Sequence, residues 1–406
     1  METYDFVVVG GGIVGCSIGR QIRLSHPGKS VALLEKEDKV GAHASGRNSG
    51  VVHSGINQKP GSLKAKLVVR GSRLLKEFCR KWEVPMKEVG TVVVARNSQE
   101  SETLRELQRR AQANGVPNVQ ILNKDQLKKV EPYAVGDEAL LSPSGAICDN
   151  TKLVQAIAED GVRNGVSLIL NAKVEGIVEK SDILTIETTN STYQARFLVN
   201  CAGLYADRVA QMMNVGHDYT LVPLRGDYYR IKPERAHLVN SMIYPPPNLE
   251  MPFLGVHMTR RTDDAVIIGP NAMLALGREK YRDASINWLE AVRMLTDIRF
   301  ARLISDPSFL NIALHQLKLS LSKEAFLKES QQLVPTLVDD DLIQDQSGIR
   351  AQLLDRKGHM VDDFLFNRTN KSFHVLNAVS PGMTCAFAFA EYVTSAIFGE
   401  LTPETT

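Results

Sequence analysis

The chain has 406 residues, with 48 Lys and Arg against 46 Asp and Glu, a formal charge of +2. That balance excludes a protein held to nucleic acid by phosphate neutralisation. With 43% hydrophobic and 23% charged residues, disordered and fibrous classes drop out as well, and the length predicts roughly two or three domains.

The first elements in chain order are a strand over 6–9, the turn Gly10-Gly11-Gly12-Ile13-Val14-Gly15, a helix to about Leu24 and a strand over 31–34 that ends at Glu35. This is a βαβ opening. Pro27-Gly28 closes its helix. Residues 36–62 are rich in Gly, Ser, His and Asn without periodicity, a loop length that usually carries function. Helices are predicted over about 63–82 and 102–114, a strand over 90–95 lies between them, and a polar connector runs to Tyr133. Asp149-Asn150 reads as a cap for a helix carrying Leu153, Ile157 and Val162. Short strands over 167–170, 173–180, 183–188 and 193–199 predict a meander with a return strand. From about 217 to 345 the character changes: a triple proline at 245–247, several strand-like pieces, then a long basic amphipathic helical region over 286–328. The last segment carries a strand over 373–377, a Pro-Gly turn and an apolar helix that returns to the first unit.

The predicted fold is therefore α/β: a discontinuous Rossmann-like dinucleotide domain (1–85, 147–216 and 345–406) with an inserted α+β domain on an antiparallel sheet (86–146 and 217–344). Five cysteines without a C-x-x-C pair fit neither a disulfide framework nor a zinc site, and read as a reduced, cytoplasmic protein. No apolar run reaches the length of a bilayer span. The basic helical region, with Arg293, Arg299 and Arg302 among apolar residues, offers a face for the inner side of an anionic membrane.

Gly10, Gly12 and Gly15 follow a strand and open a helix, so one makes the turn, one admits a pyrophosphate and one permits helix-strand contact. Glu35 is placed to accept from ribose hydroxyls and disfavours a 2′-phosphate, leaving FAD or NAD. FAD is preferred, because the unit opens the chain, a second turn, Asn200-Cys201-Ala202-Gly203, follows a later strand, and Ser380-Pro381-Gly382-Met383-Thr384 opens a late helix.

Together these motifs resemble the D-amino-acid oxidase/glycine oxidase superfamily of FAD enzymes. Within it, the run from Ser45 to Ile56 and on to Lys66, with Pro223-Leu224-Arg225-Gly226, Phe253-Leu254-Gly255-Val256-His257, Gly269-Pro270-Asn271-Ala272 and Ser347-Gly348-Ile349-Arg350-Ala351-Gln352, is similar to the L-2-hydroxyglutarate oxidase/dehydrogenase family. The resemblance implies oxidation of the C2 alcohol of L-2-hydroxyglutarate to 2-oxoglutarate with reduction of FAD. It places Gly10, Gly12, Ile13, Val14 and Gly15 at the pyrophosphate, and Glu35 and Lys36 at the ribose. Ser45, Arg47, Asn48, Ser49, Cys201, Ala202 and Gly203 would lie along the cofactor, Val174 at the adenine, and Gly382, Met383 and Thr384 at the flavin end. FAD is expected to be held non-covalently.

Alcohol oxidation needs a base for the hydroxyl proton while hydride goes to flavin, and His53 and His257 are the two candidates. A dicarboxylate needs a bidentate cation: Arg350 is the first choice, with Arg225 and Arg260 as further candidates and Tyr228, Tyr229 or Tyr244 as hydroxyl donors. No ligand pattern for a metal is present. Oxygen or a quinone would take the electrons. The competing expectation keeps the fold and oxidises an amino acid or secondary amine; a flavin module without turnover, a flavin domain acting on tRNA and a nicotinamide dehydrogenase fit the motifs less well.

Overall fold

A computed structural model describes residues 2–248, 255–281 and 286–401. Phe253 and Leu254, part of one motif above, lie outside them. The first sheet has a parallel core in which Thr3–Val9 pairs with Val31–Leu34 on one side and Thr192–Asn200 on the other. Val166–Ile169 and Ser372–Asn377 extend it at the two flanks. The segment over 167–170 therefore joins the parallel core and not the meander, which comprises Val174–Lys180, Ile183–Thr188 and the start of Thr192–Asn200. Alternation explains the layering: Phe6 and Val8 enter the core shared with helices Ile13–Ser25, Leu63–Lys81, Asn150–Arg163 and Gly382–Ile397, whereas Val7 and Val9 enter the core beneath the meander. A strand buried on both faces reads as a continuous apolar run, as this one does.

The second sheet is mostly antiparallel, in the order Met273–Leu274, Thr220–Ile231, Val266–Ile268, Met258–Arg260, Met242–Tyr244, Thr91–Ala95, Glu138–Ser142 and Gln120–Asn123. Leu342–Leu354 pairs along the whole of Thr220–Ile231, with Leu224 opposite Arg350 and Gly226 opposite Gly348. That strand crosses the boundary expected at residue 345, so the chain rejoins the first sheet only at Leu365–Arg368. A small sheet of Val51–Val52, Met86–Lys87 and Ala146–Cys148 lies between.

Two other expectations are corrected. The polar connector before Tyr133 contains the strand Gln120–Asn123 and the helix Lys124–Val130, started by an Asn123/Gln126 capping box. The long helical region is four helices, Trp288–Leu295, Ile298–Ile304, Pro307–Leu321 and Lys323–Gln331. Asp297, Asp306 and Ser322 break it because each caps the helix that follows, and Pro307 occupies a first-turn position.

Gly71 fixes the approach of two helices behind the cavity, since a Cβ there would stand 2.5 Å from the Thr384 carbonyl oxygen and 2.8 Å from Cys385 Cα. Gly71→Ala is expected to cost about 1–3 kcal/mol by overpacking, read as a melting temperature lowered by several degrees.

Candidate functional site

The parallel strands end together, and a cavity of about 780 Å³ lies beyond their carboxyl ends, lined by Gly10, Gly12, Glu35, Ala172, Cys201 and Ala378 among others. That is where an open α/β sheet binds its ligand. Gly10 has φ 110°, and a Cβ on it would stand 2.4 Å from the Cys201 carbonyl oxygen. A Cβ on Gly15 would stand 2.0 Å from the Gly10 carbonyl oxygen. Neither position tolerates a side chain, so helix and turns close directly on one another. Gly12 is the N-cap of the first helix and offers no capping side chain; the Ile13 N–H donates to Ser45 Oγ at 3.0 Å. Glu35 is buried and accepts from the Gly11 N–H at 2.6 Å and the Glu37 N–H at 2.9 Å. The carboxylate is thereby held against the glycine turn.

The second turn is fixed from behind. Asn200 Oδ1 accepts from the Ala202 N–H at 3.1 Å, and its amide donates to the Ala206 carbonyl at 2.8 Å and to Nδ1 of the buried His374 at 3.1 Å. The loop at 45–50 is braced by Asn48, whose amide donates to the Ser45 carbonyl at 2.8 Å and whose oxygen accepts from the Gly50 N–H at 2.8 Å. At the far end, Pro381 caps the helix Gly382–Ile397 without a side-chain hydrogen bond, so its first N–H groups and dipole face the cavity beside Gly382, Met383 and Thr384. Thr384 Oγ1 accepts from the His53 N–H at 3.0 Å and donates to the Val51 carbonyl at 3.4 Å, tying this helix to the strand Val51–Val52 and the His53 that follows it.

Of the candidate cofactor residues, all but Gly15 line the cavity, and Gly15 underlies it. Lys36 does so with its ammonium engaged by Glu37 and, at 2.6 Å, by Glu279. His53, His257, Arg350, Tyr228 and Tyr244 converge on the end away from Glu35. Arg350 gets there because a Cβ on Gly348 would lie 2.1 Å from the Arg47 carbonyl oxygen, so the strand bearing both runs hard against the loop. Burial and the neighbouring Arg350 charge lower the pKa of His53 to about 4. Burial is also the main cause that lowers His257, to about 3. The His257 ring stacks on Tyr244 with centroids 4.2 Å apart, and its Nδ1–H donates to the Gly255 carbonyl at 2.9 Å, leaving Nε2 as the acceptor nitrogen. Burial raises both tyrosines.

Two expected substrate residues are elsewhere. Arg225 alternates with Tyr228 along its strand, faces away from the cavity and pairs with Asp227 at 3.0 Å. Arg260 donates to the carbonyls of Val239 at 3.0 Å and Ala236 at 2.9 Å and pairs with Asp264 at 3.3 Å, so it fastens a turn. Tyr229 packs on Phe326 in the second sheet's core. Conversely, His43, Tyr205, Arg208, Met212, Glu279 and Arg293 line the cavity without having been expected there. Only Tyr205 and Arg208 carried a signal, since they directly follow the second glycine turn.

The parallel sheet, the glycine cradle and a second sheet closing over one end of the cavity define a dinucleotide-binding oxidoreductase. The chain belongs to the FAD dependent oxidoreductase (DAO) family, whose model matches residues 5–396. It is 38% identical to an L-2-hydroxyglutarate dehydrogenase of Indibacter alkaliphilus over 95% of this chain and 96% of that protein. The corresponding dehydrogenase of Escherichia coli is 37% identical, covering 97% and 93%. The human mitochondrial one is 35% identical, covering 98% and 89%. Among solved structures, an L-alpha-glycerophosphate oxidase from Mycoplasma pneumoniae with FAD bound superposes with a TM-score of 0.80 at 23% identity, covering 98% of this chain and 95% of that one. A glycine oxidase from Geobacillus kaustophilus gives 0.71 at 18%, covering 100% and 97%.

The lowered histidines set a pH dependence. Between their native values and the ordinary value of about 6.5, the unfolded chain binds protons that native His53, His257 and His374, the last also lowered to about 4, refuse. Stability therefore falls as pH drops below about 6.5, by up to about 2 kcal/mol per fully buried histidine at pH 5. Urea midpoints at pH 7 and pH 5 check this, and His374→Gln should narrow the difference.

Proposed function

We propose that this protein oxidises L-2-hydroxyglutarate to 2-oxoglutarate. The observation that carries the reading is Arg350: among the described residues its side chain has neither an acidic partner nor a hydrogen bond, yet it lines the cavity beside His53, His257 and Tyr228. A half-buried guanidinium without a counter-ion is a site for an anion. The names of the curated relatives support the same substrate.

The glycine cradle fits FAD, because Gly10 and Gly12 keep the backbone open where a pyrophosphate would approach and Glu35 stands at the ribose position. When bound, FAD supplies the two-electron acceptor for the hydrogen leaving C2. The chain's own residues do the rest. Arg350 holds a substrate carboxylate in fixed orientation, with the Tyr228 hydroxyl as a further donor. His257 is neutral at physiological pH, and Nε2 takes the hydroxyl proton. A bound carboxylate offsets the Arg350 charge that disfavours protonation of His257, so the base strengthens as substrate arrives. His53, which also lines the cavity, is the alternative base.

Anaerobic addition of L-2-hydroxyglutarate, its D-enantiomer and several amino acids, followed at the visible flavin band, tests the assignment. Rapid bleaching by the L-enantiomer alone is expected; bleaching only by amino acids would move the protein to amine oxidation. Arg350→Met should lower kcat/KM at least about 100-fold through loss of a buried charge-assisted contact.

The electrons pass to oxygen or a quinone, and we propose that an exposed apolar face serves contact with an anionic membrane surface. No helix among the described residues is long and apolar enough to cross a membrane. However, Leu310, Leu314, Leu317 and Leu321 form an outward stripe at helical spacing, and Trp288 and Leu321 are 72% and 77% exposed. Arg293, Arg302 and Lys318 are exposed along the same run of helices. Apolar stripes flanked by basic residues suit a bilayer surface. The protein should pellet with anionic vesicles at low salt, and Leu314→Glu should leave it in the supernatant; a wild-type protein that does not pellet removes the idea.

A further inference from the structure

Glu279 and Tyr281 lie between the strand Met273–Leu274 and the helix Trp288–Leu295, in sequence far from the cradle, yet their side chains reach it. Glu279 Oε1 is 2.6 Å from Lys36 Nζ, and the Tyr205 hydroxyl is hydrogen-bonded to the same carboxylate. The Tyr281 hydroxyl is 2.6 Å from His43 Nδ1, and the Arg47 guanidinium stacks 4.2 Å from its ring centroid. Tyr281 is also anchored behind, against the cluster of Leu204, Leu221 and Ile349. Glu37, His43 and Glu279 place three acceptor atoms within 4.8 Å of one another, an arrangement that suits a cation. The Lys36 ammonium is that cation, since it contacts Glu37, Glu279 and, at 2.9 Å, His43.

These contacts brace two walls of one cavity. Lys36, His43, Arg47 and Tyr205 belong to its cradle side, and all four line it. The ion pair is only part-exposed, 23% at Lys36 and 35% at Glu279, so bulk water screens it incompletely.

We propose that Glu279 and Tyr281 form a clasp across the cofactor cavity that sets how fast FAD enters and leaves. The proposal rests on the reading that this cavity holds FAD. A contact that spans the walls opens for passage in either direction, so it governs the barrier and not the difference between end states. Ordinary cofactor contacts would act on release alone.

The test uses flavin fluorescence in two measurements: uptake of FAD by apoprotein prepared from the holoenzyme, and release on dilution of the holoenzyme. In the double variant Glu279→Gln, Tyr281→Phe both rates are expected to rise about tenfold, equivalent to about 1.4 kcal/mol, with Kd changed by less than about threefold. Faster release with unchanged uptake would make the pair ordinary binding contacts and overturn the clasp, as would two unchanged rates. A wild-type apoprotein that takes up no FAD at all refutes the cofactor reading beneath it, and the clasp with it.

Discussion

The arrangement depends on a backbone contact with no room for a side chain. Gly10 and Gly15 meet at one carbonyl, and Gly10 meets the Cys201 carbonyl across the neighbouring strand. Because those contacts bring helix, turn and second turn to one point, the N–H groups of the first helix, the Glu35 carboxylate and the 201–203 turn share a single cavity wall. A methyl group at either glycine would push that wall apart by roughly half an ångström to an ångström, since real Cβ atoms do not approach an oxygen within about 3 Å. The hydrogen bonds through Asn200 and His374 then hold the second turn in register with the first.

The same cavity joins two electrostatic environments. At the Glu35 end two charges are matched: Lys36 by two carboxylates and Glu35 by two backbone donors. At the other end Arg350 is unmatched and two histidines are kept neutral by burial beside it. The end beside Glu35, where a ribose and a pyrophosphate would meet a carboxylate and backbone N–H groups, is thus distinct from the end that presents a guanidinium.

Much of this was legible in the sequence, for physical reasons that differ by residue. The glycine turn, Glu35 and the late helix are local in sequence, and their spacing alone carries their geometry. His53 and His257 are candidates by their place in motifs and Arg350 by the return of the chain to the first domain, and only the structure sets all three beside one cavity. Arg225 and Arg260 were misplaced because the facing of a strand residue depends on register: Arg225 is three residues from Tyr228 and so points to the opposite face. The strand Leu342–Leu354 escaped notice because Gln344, Asp345, Gln346 and Gln352 interrupt any apolar alternation. The clasp residues carried no signal, since their partners are distant in sequence, His43 and Tyr281 being separated by 238.

The cavity wall is assembled from segments that begin at Val9 and end at Thr384. A growing polypeptide emerging from the ribosome therefore lacks a complete cofactor pocket until the helix Gly382–Ile397, which closes it, has been made. Contacts of such long sequence separation form late and slowly. A prosthetic group that needs the whole wall contributes its binding energy to the finished tertiary structure and does not nucleate it.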